Sequence, residues 1–224
     1  MEPKELLNIL STAEKLKCNT RHSYTSSGRK ESVAEHSWRL SLMAMLISDE
    51  EEFEHADMNR VIRMCLIHDL GEAFTGDIPA FEKSELDRVK EDAAFDNWVS
   101  GFPDRQRLEF QELLQEMSEQ KTAESRLYKA LDKLEAVIQH NESDLATWLP
   151  LEYDLQFSYG QEQVQFSPYL RRLKEEIDQW TKDKIAQKTS MAERKRNRSL
   201  MDHLVDGIRN NCKGWVWIQA HLFL

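Results

Sequence analysis

The segment IRMCLIHDLGEAFTGDIP, residues 62–79, places His68, Asp69 and Glu72 where its own pattern predicts core, with Asp77 close behind. On a wheel of ~100° per residue, Met58, Val61, Ile62 and Cys65 share one face. His68, Asp69 and Glu72 continue that face. Residues 33–47 behave the same way: Val33, Leu40, Met43, Ala44 and Ile47 form an apolar stripe, and His36 lies inside it. Two helices therefore each send an imidazole inward, and one sends carboxylates too. A buried, unpaired carboxylate costs several kcal/mol or gives up its charge. A divalent cation removes that penalty, taking neutral imidazole nitrogen and carboxylate oxygen as ligands. Two histidines and one aspartate leave positions open for water and substrate, as catalytic sites require. A single histidine on an apolar face is most often a hydrogen-bonded core residue, so His36 alone decides nothing. Spacing alone also names no fourth ligand: Asp132 lies off the apolar stripe of its helix (Leu127, Leu131, Leu134, Ile138), where a solvated acid is expected.

The elements that must hold these groups read as helix after helix. Residues 3–17 are amphipathic. Residues 18–31 are polar and read as a loop. Ser32 and Glu35 form an S-x-x-E capping box ahead of a long helix. Further helices are expected from about Asp57 to Ala73 and over 82–100, 104–118 and 122–142. Residues 143–167 read mostly as loop. A last helix runs from Pro168 to about Ile185, with Ser167 as its N-cap and proline at the first position. No convincing period-two strand or internal repeat is visible, so the class is all-α. Scarce glycine (7) and proline (5) agree with few tight turns.

The net charge of −10 argues against a nucleic-acid polymer as partner, though a small anion could bind where the site carries its own cations. Three dispersed cysteines with no CxxC pair support neither a disulfide framework nor a cysteine zinc site, and fit a reducing cytoplasm. The opening MEPKELLNIL does not read as a signal peptide, and no apolar run approaches the ~20 residues of a membrane span. The expected organisation is one domain over residues 1–187, then a basic linker and hydrophobic tail over 188–224 of uncertain status. Trp38 and Trp148 read as core or interface. Arg29 and Lys30 read as solvated loop. His55, His140, His203 and His221 receive no role.

The motifs ESVAEHSWR, HDLGEAFTGDIP and YKALDKLEAV together resemble the HD-domain metal-dependent phosphohydrolases, and within them the 5′-deoxynucleotidase branch. The resemblance covers roughly residues 5–185. It implies a single helical bundle with a metal site between its central helices, a homodimer, and removal of phosphate from deoxynucleoside monophosphates. It implies that His36, His68, Asp69 and Asp132 hold one divalent cation, with Mn, Co, Mg, Fe and Zn all suited to mixed nitrogen and oxygen ligation. Glu72 matches a catalytic residue, Asp77 a substrate-contacting acid and Arg21 an arginine near the phosphate. His22, beside Arg21, stands at a substrate-binding position where a tryptophan is usual in bacterial members. Asp77 otherwise caps the turn before Pro79. HD sites also serve nucleoside triphosphates and cyclic nucleotides, and a non-catalytic nucleotide-binding protein is a further alternative.

Overall fold

A computed structural model describes residues 1–190 together with Arg196, Arg198 and Met201. The chain divides into two compact units, Met1–Gln179 and Trp180–Leu224. Most of the tail, His203 and His221 included, lies outside the described residues. In the second unit, residues 180–190 are helical.

Helix α1 (Pro3–Ala13) starts with proline in its first turn and a reciprocal pair between Glu2 and Glu5, then tightens into a 3-10 turn at Glu14–Lys17. Strands β1 (Thr20–Tyr24) and β2 (Lys30–Ser32) follow as an antiparallel hairpin with an irregular register, Thr20 opposite Ser32 and Tyr24 opposite Lys30. This corrects the reading of residues 18–31 as loop. The strands are too short and polar to show a period of two. The hairpin is the one sheet among the described residues, and the class is all-α.

Helix α2 (Val33–Leu46) begins at the expected capping box: the Ser32 side chain accepts from the Glu35 amide, and Glu35 accepts from the Ser32 amide. Helix α3 (Met58–Ile67) is capped by Asp57. It is shorter than expected. The amides of Leu70, Glu72, Ala73 and Phe74 bond three residues back instead of four, and a separate short helix, α4 (Glu72–Thr75), forms there. In 3-10 geometry, positions i and i+3 eclipse, so Asp69 and Glu72 fall on one side. Gly71 permits this corner. A Cβ there would lie 2.9 Å from Glu91 Cγ on α5 (Glu85–Ser100). Helices α6 (Asp104–Glu119) and α7 (Ala123–Glu142) lie close to their expected bounds. Residues 143–167, read mostly as loop, contain a 3-10 turn at Leu145–Thr147 and helix α8 (Glu152–Ser158). In the first unit, residues 168–179 are helical, and the Ser167 hydroxyl accepts from the Leu170 amide as the expected cap.

The core of the first unit lies where α2, α3 and α7 pack together. Leu40 and Ala44 of α2, Val61, Met64 and Cys65 of α3, and Leu127, Leu131 and Leu134 of α7 are buried there. Each large aliphatic among them contributes about 1.5–3 kcal/mol of burial. Helix α7 is covered on several sides, so Tyr128, Asp132 and Glu135 are buried as well as its leucine stripe. A wheel assumes a single covered face, which is why Asp132 read as solvated. Trp148 is buried, but Trp38 is 63% exposed and is not core. Among the described residues, no helix is long and apolar enough to cross a membrane.

Candidate metal centre and pocket

Three helices bring the candidate ligands together. The cap at Ser32 starts α2 one turn before His36. His68 ends α3, Asp69 enters the 3-10 corner, and Asp132 comes from the middle of α7. His36 Nε2 lies 3.3 Å from Asp132 Oδ1 and 3.9 Å from Asp69 Oδ2. His68 Nε2 lies 3.0 Å from Asp69 Oδ2 and 3.7 Å from Asp132 Oδ1. The two imidazole centroids are 5.2 Å apart.

The tautomers follow from the other ring nitrogens. His36 Nδ1 hydrogen-bonds the Glu135 carboxylate, and His68 Nδ1 donates to the Cys65 carbonyl at 2.9 Å. A proton on each Nδ1 leaves each Nε2 as a lone pair in neutral imidazole. Both Nε2 atoms are buried and have no hydrogen-bond partner. Two orphaned lone pairs thus face two carboxylates. This donor set fits a divalent cation of borderline hardness. The field agrees. Burial and Arg21 push the His36 pKa down, but Glu135 and Asp132 outweigh them and raise it to about 9. Burial works to raise the Asp69 and Asp132 carboxyls, yet His68 at Asp69, and Lys129 and Lys133 at Asp132, hold them well below the usual range.

Around these groups lies a supporting layer that sequence reasoning missed. Arg39 Nε donates to Glu135 at 2.6 Å, and its Nη2 donates to Gln139 at 2.5 Å. Gln139 in turn donates to the Tyr24 carbonyl at 2.6 Å, which ties α7 to the hairpin. Lys129 Nζ donates to Asp132 at 2.9 Å. The spacing of Asp132, Glu135 and Gln139 was legible as an i, i+3, i+7 row. Its burial was not.

The hairpin presents Arg21 to the same space. Arg21 Nε is 3.2 Å from Glu31, and Nη1 is 3.7 Å from Asp69. Glu72 is buried, and its Oε2 has no hydrogen-bond partner. Burial first, then Asp69, Asp77 and Glu91, push its pKa up to about 10 against the pull of Lys83 3.8 Å away. Asp77 lines the pocket half-buried, and burial raises its carboxyl against the opposing effect of Arg21.

These groups open onto one pocket of about 300 Å³. Arg21, Lys83, Arg88, Lys129 and Lys133 line it beside Asp69, Glu72, Asp77, Asp132 and Glu152, so an acidic protein gathers as many cations as carboxylates there. The apolar part of the wall includes Ile78, Phe81, Leu155 and Tyr159. His22 meets Phe81 edge to face at 5.4 Å. His140, given no role from sequence, also lines the pocket, beside His22 and Glu152. The missed signal is its spacing: Asp132, Ala136 and His140 are four residues apart and share one face of α7. His55 is exposed, and Arg29 pairs with Glu35 at the surface.

The HD-domain family model matches residues 13–174. The 5′-deoxynucleotidase HDDC2 of Xenopus laevis is 36% identical over 141 residues, 61% of this chain and 68% of that protein. The protein of the same name from Homo sapiens is 34% identical over 144 residues, 62% and 68% of the respective chains. Among solved structures, a "predicted metal-dependent phosphohydrolase" from Magnetospirillum magnetotacticum MS-1 superposes with a TM-score of 0.64 at 29% identity, covering 79% of this chain and 93% of that one. A conserved hypothetical protein from Pyrococcus furiosus gives 0.63 at 29% identity, covering 77% and 99%.

Proposed function

This chain belongs to the HD-domain family, and from that premise we propose that it hydrolyses deoxynucleoside 5′-monophosphates to deoxynucleoside and inorganic phosphate, with His36, His68, Asp69 and Asp132 holding one divalent cation. The observation that carries the reading is the pair of buried, partnerless Nε2 atoms facing Asp69 and Asp132. A bound divalent cation supplies Lewis-acid polarisation of a phosphate oxygen and lowers the pKa of a water.

The chain's own groups do the rest. Arg21 offers a planar fork to phosphate oxygens, held in place by Glu31. Lys129 and Lys133 add charge where the phosphate dianion enters. Glu72 relays the proton of the attacking water. Its burial among acids raises the basicity of its carboxylate toward that proton. Asp77 accepts a hydrogen bond from the sugar, and His22 with Phe81 forms a wall for the nucleoside. The pocket is sized for one small molecule, which supports a mononucleotide over a nucleic-acid polymer.

We read the enzyme as a cytoplasmic homodimer. Exposed Trp38 and Met45, two turns apart on α2, supply apolar surface suited to a second copy.

The test is phosphate release from a panel of deoxynucleoside monophosphates after loading with Mn, Co, Mg, Fe or Zn. Release should stop with chelator and with Asp69→Ala. Product analysis separates inorganic phosphate from pyrophosphate or triphosphate. A metal-loaded protein that releases phosphate from none of the monophosphates overturns the reading.

A further inference from the structure

We propose that His22, His140 and Glu152 form a second cation site, selective for a divalent transition-metal ion and sharing no ligand with the first. His22 Nε2, His140 Nε2 and a Glu152 carboxylate oxygen all lie within 4.8 Å of one another. Both imidazole nitrogens approach the same oxygen, Glu152 Oε1. His140 Nε2 lies 2.9 Å from it, and His22 Nε2 contacts it directly.

The protonation pattern makes this arrangement informative. His140 Nδ1 lies 3.1 Å from the Ala136 carbonyl, one turn back on α7. A carbonyl only accepts, so Nδ1 carries the proton. In neutral imidazole, Nε2 is then a bare lone pair. It faces a carboxylate oxygen, which is also an acceptor. Two lone pairs at 2.9 Å repel unless a proton on Nε2 or a metal ion lies between or beside them. A metal ion satisfies both and can take His22 Nε2 as a third ligand.

Each candidate ligand is held by its own element. His140 is fixed by the α7 backbone. Glu152 is fixed at the start of α8, where its other oxygen, Oε2, accepts from the Leu149 amide at 2.6 Å. His22 sits on β1 and packs edge to face on Phe81. Such second bonds are what orient metal ligands. The site is nearly dry on the carboxylate side, with Glu152 3% exposed, while His22 at 22% and His140 at 16% open toward the pocket. Two imidazoles and one carboxylate suit Zn, Mn or Co over Mg or Ca, which take oxygen ligands. Three protein ligands leave a position open to the pocket. His22 is shared with the proposed nucleoside wall, but occupancy is measured without turnover, so the two readings fail separately.

The test uses the full chain, stripped with chelator and saturated with Co²⁺ or Mn²⁺. Anomalous difference maps of wild-type crystals should show two peaks, one among His36, His68, Asp69 and Asp132 and one among His22, His140 and Glu152. His140→Ala should lose the second peak and keep the first. Asp69→Ala should do the reverse. The maps, rather than total metal content, decide, because His203, Cys212 and His221 in the tail can also bind metal. A wild-type map with no peak between His22 and Glu152 overturns the proposal without any variant having to fold. So does a His140→Ala map in which that peak survives.

Discussion

His36 and Glu135, 99 residues apart in the chain, meet as a fully buried hydrogen-bonded pair through Nδ1 of the imidazole. The pair sets which nitrogen of His36 carries the proton, and so which faces Asp69 and Asp132. Glu135 is itself held by Arg39 and is kept ionised, its carboxyl lowered to about 2 by His36 and Arg39 against the penalty of burial.

Glu135→Gln should therefore weaken cation binding by about 10–100-fold, the usual cost of losing a partner behind a metal-ligating histidine. A Co²⁺ titration followed by absorbance measures it. Activity should return at saturating metal. Unchanged affinity would mean that Glu135 only fills space.

Glu72→Gln tests a different role. The amide keeps the shape and cannot relay a proton. Metal affinity should stay as in the wild type, while turnover falls by about 10²–10⁴-fold, the usual range for a general acid or base. Parallel metal titration and phosphate release separate this outcome from loss of the cation.

Arg21→Lys keeps the charge and removes the fork. A hydrogen bond to a charged group contributes about 1.5–3 kcal/mol, so KM for the monophosphate should rise about tenfold to hundredfold. The effect should be smaller on kcat than on KM. An unaltered KM places the phosphate elsewhere in the pocket.

Gly160→Ala probes the turn after α8. Gly160 has φ +77°, and an added Cβ would lie 3.0 Å from Lys133 Cβ on α7. Strain and crowding act together, so the loss of stability should exceed the ~0.4–1 kcal/mol that the same change adds at a compatible site. Calorimetry should show a Tm lower by several degrees.

Cys18 and Cys65 should differ in reactivity. Cys18 is exposed and Cys65 buried. Burial first, then the charge of Asp132, raises the Cys65 thiol, so its thiolate is scarcer than that of an ordinary cysteine at any pH near neutral. Iodoacetamide at pH 8 followed by peptide mapping should label Cys18 and spare Cys65 until the protein is unfolded.

Much of the centre was legible in the residues alone. The capping box at Ser32 and Glu35 sets the start of α2 and puts His36 on its inner face, because the cap is made by neighbours in sequence. His68 follows from the apolar row of α3, since one buried face repeats every three or four residues. Asp132 entered as a ligand only through the resemblance, because α7 is covered on several sides and a wheel shows one. The hairpin that presents Arg21 and His22 stayed hidden, since strands this short owe their pairing to what they pack against. His140 and Glu152 come together only through the return of α8 onto α7. Local patterns determined the helices and which residues face inward, because capping and periodicity act within a few residues. Tertiary structure decided which inward groups meet, because that depends on contacts between distant segments and on how many sides of a helix those segments cover.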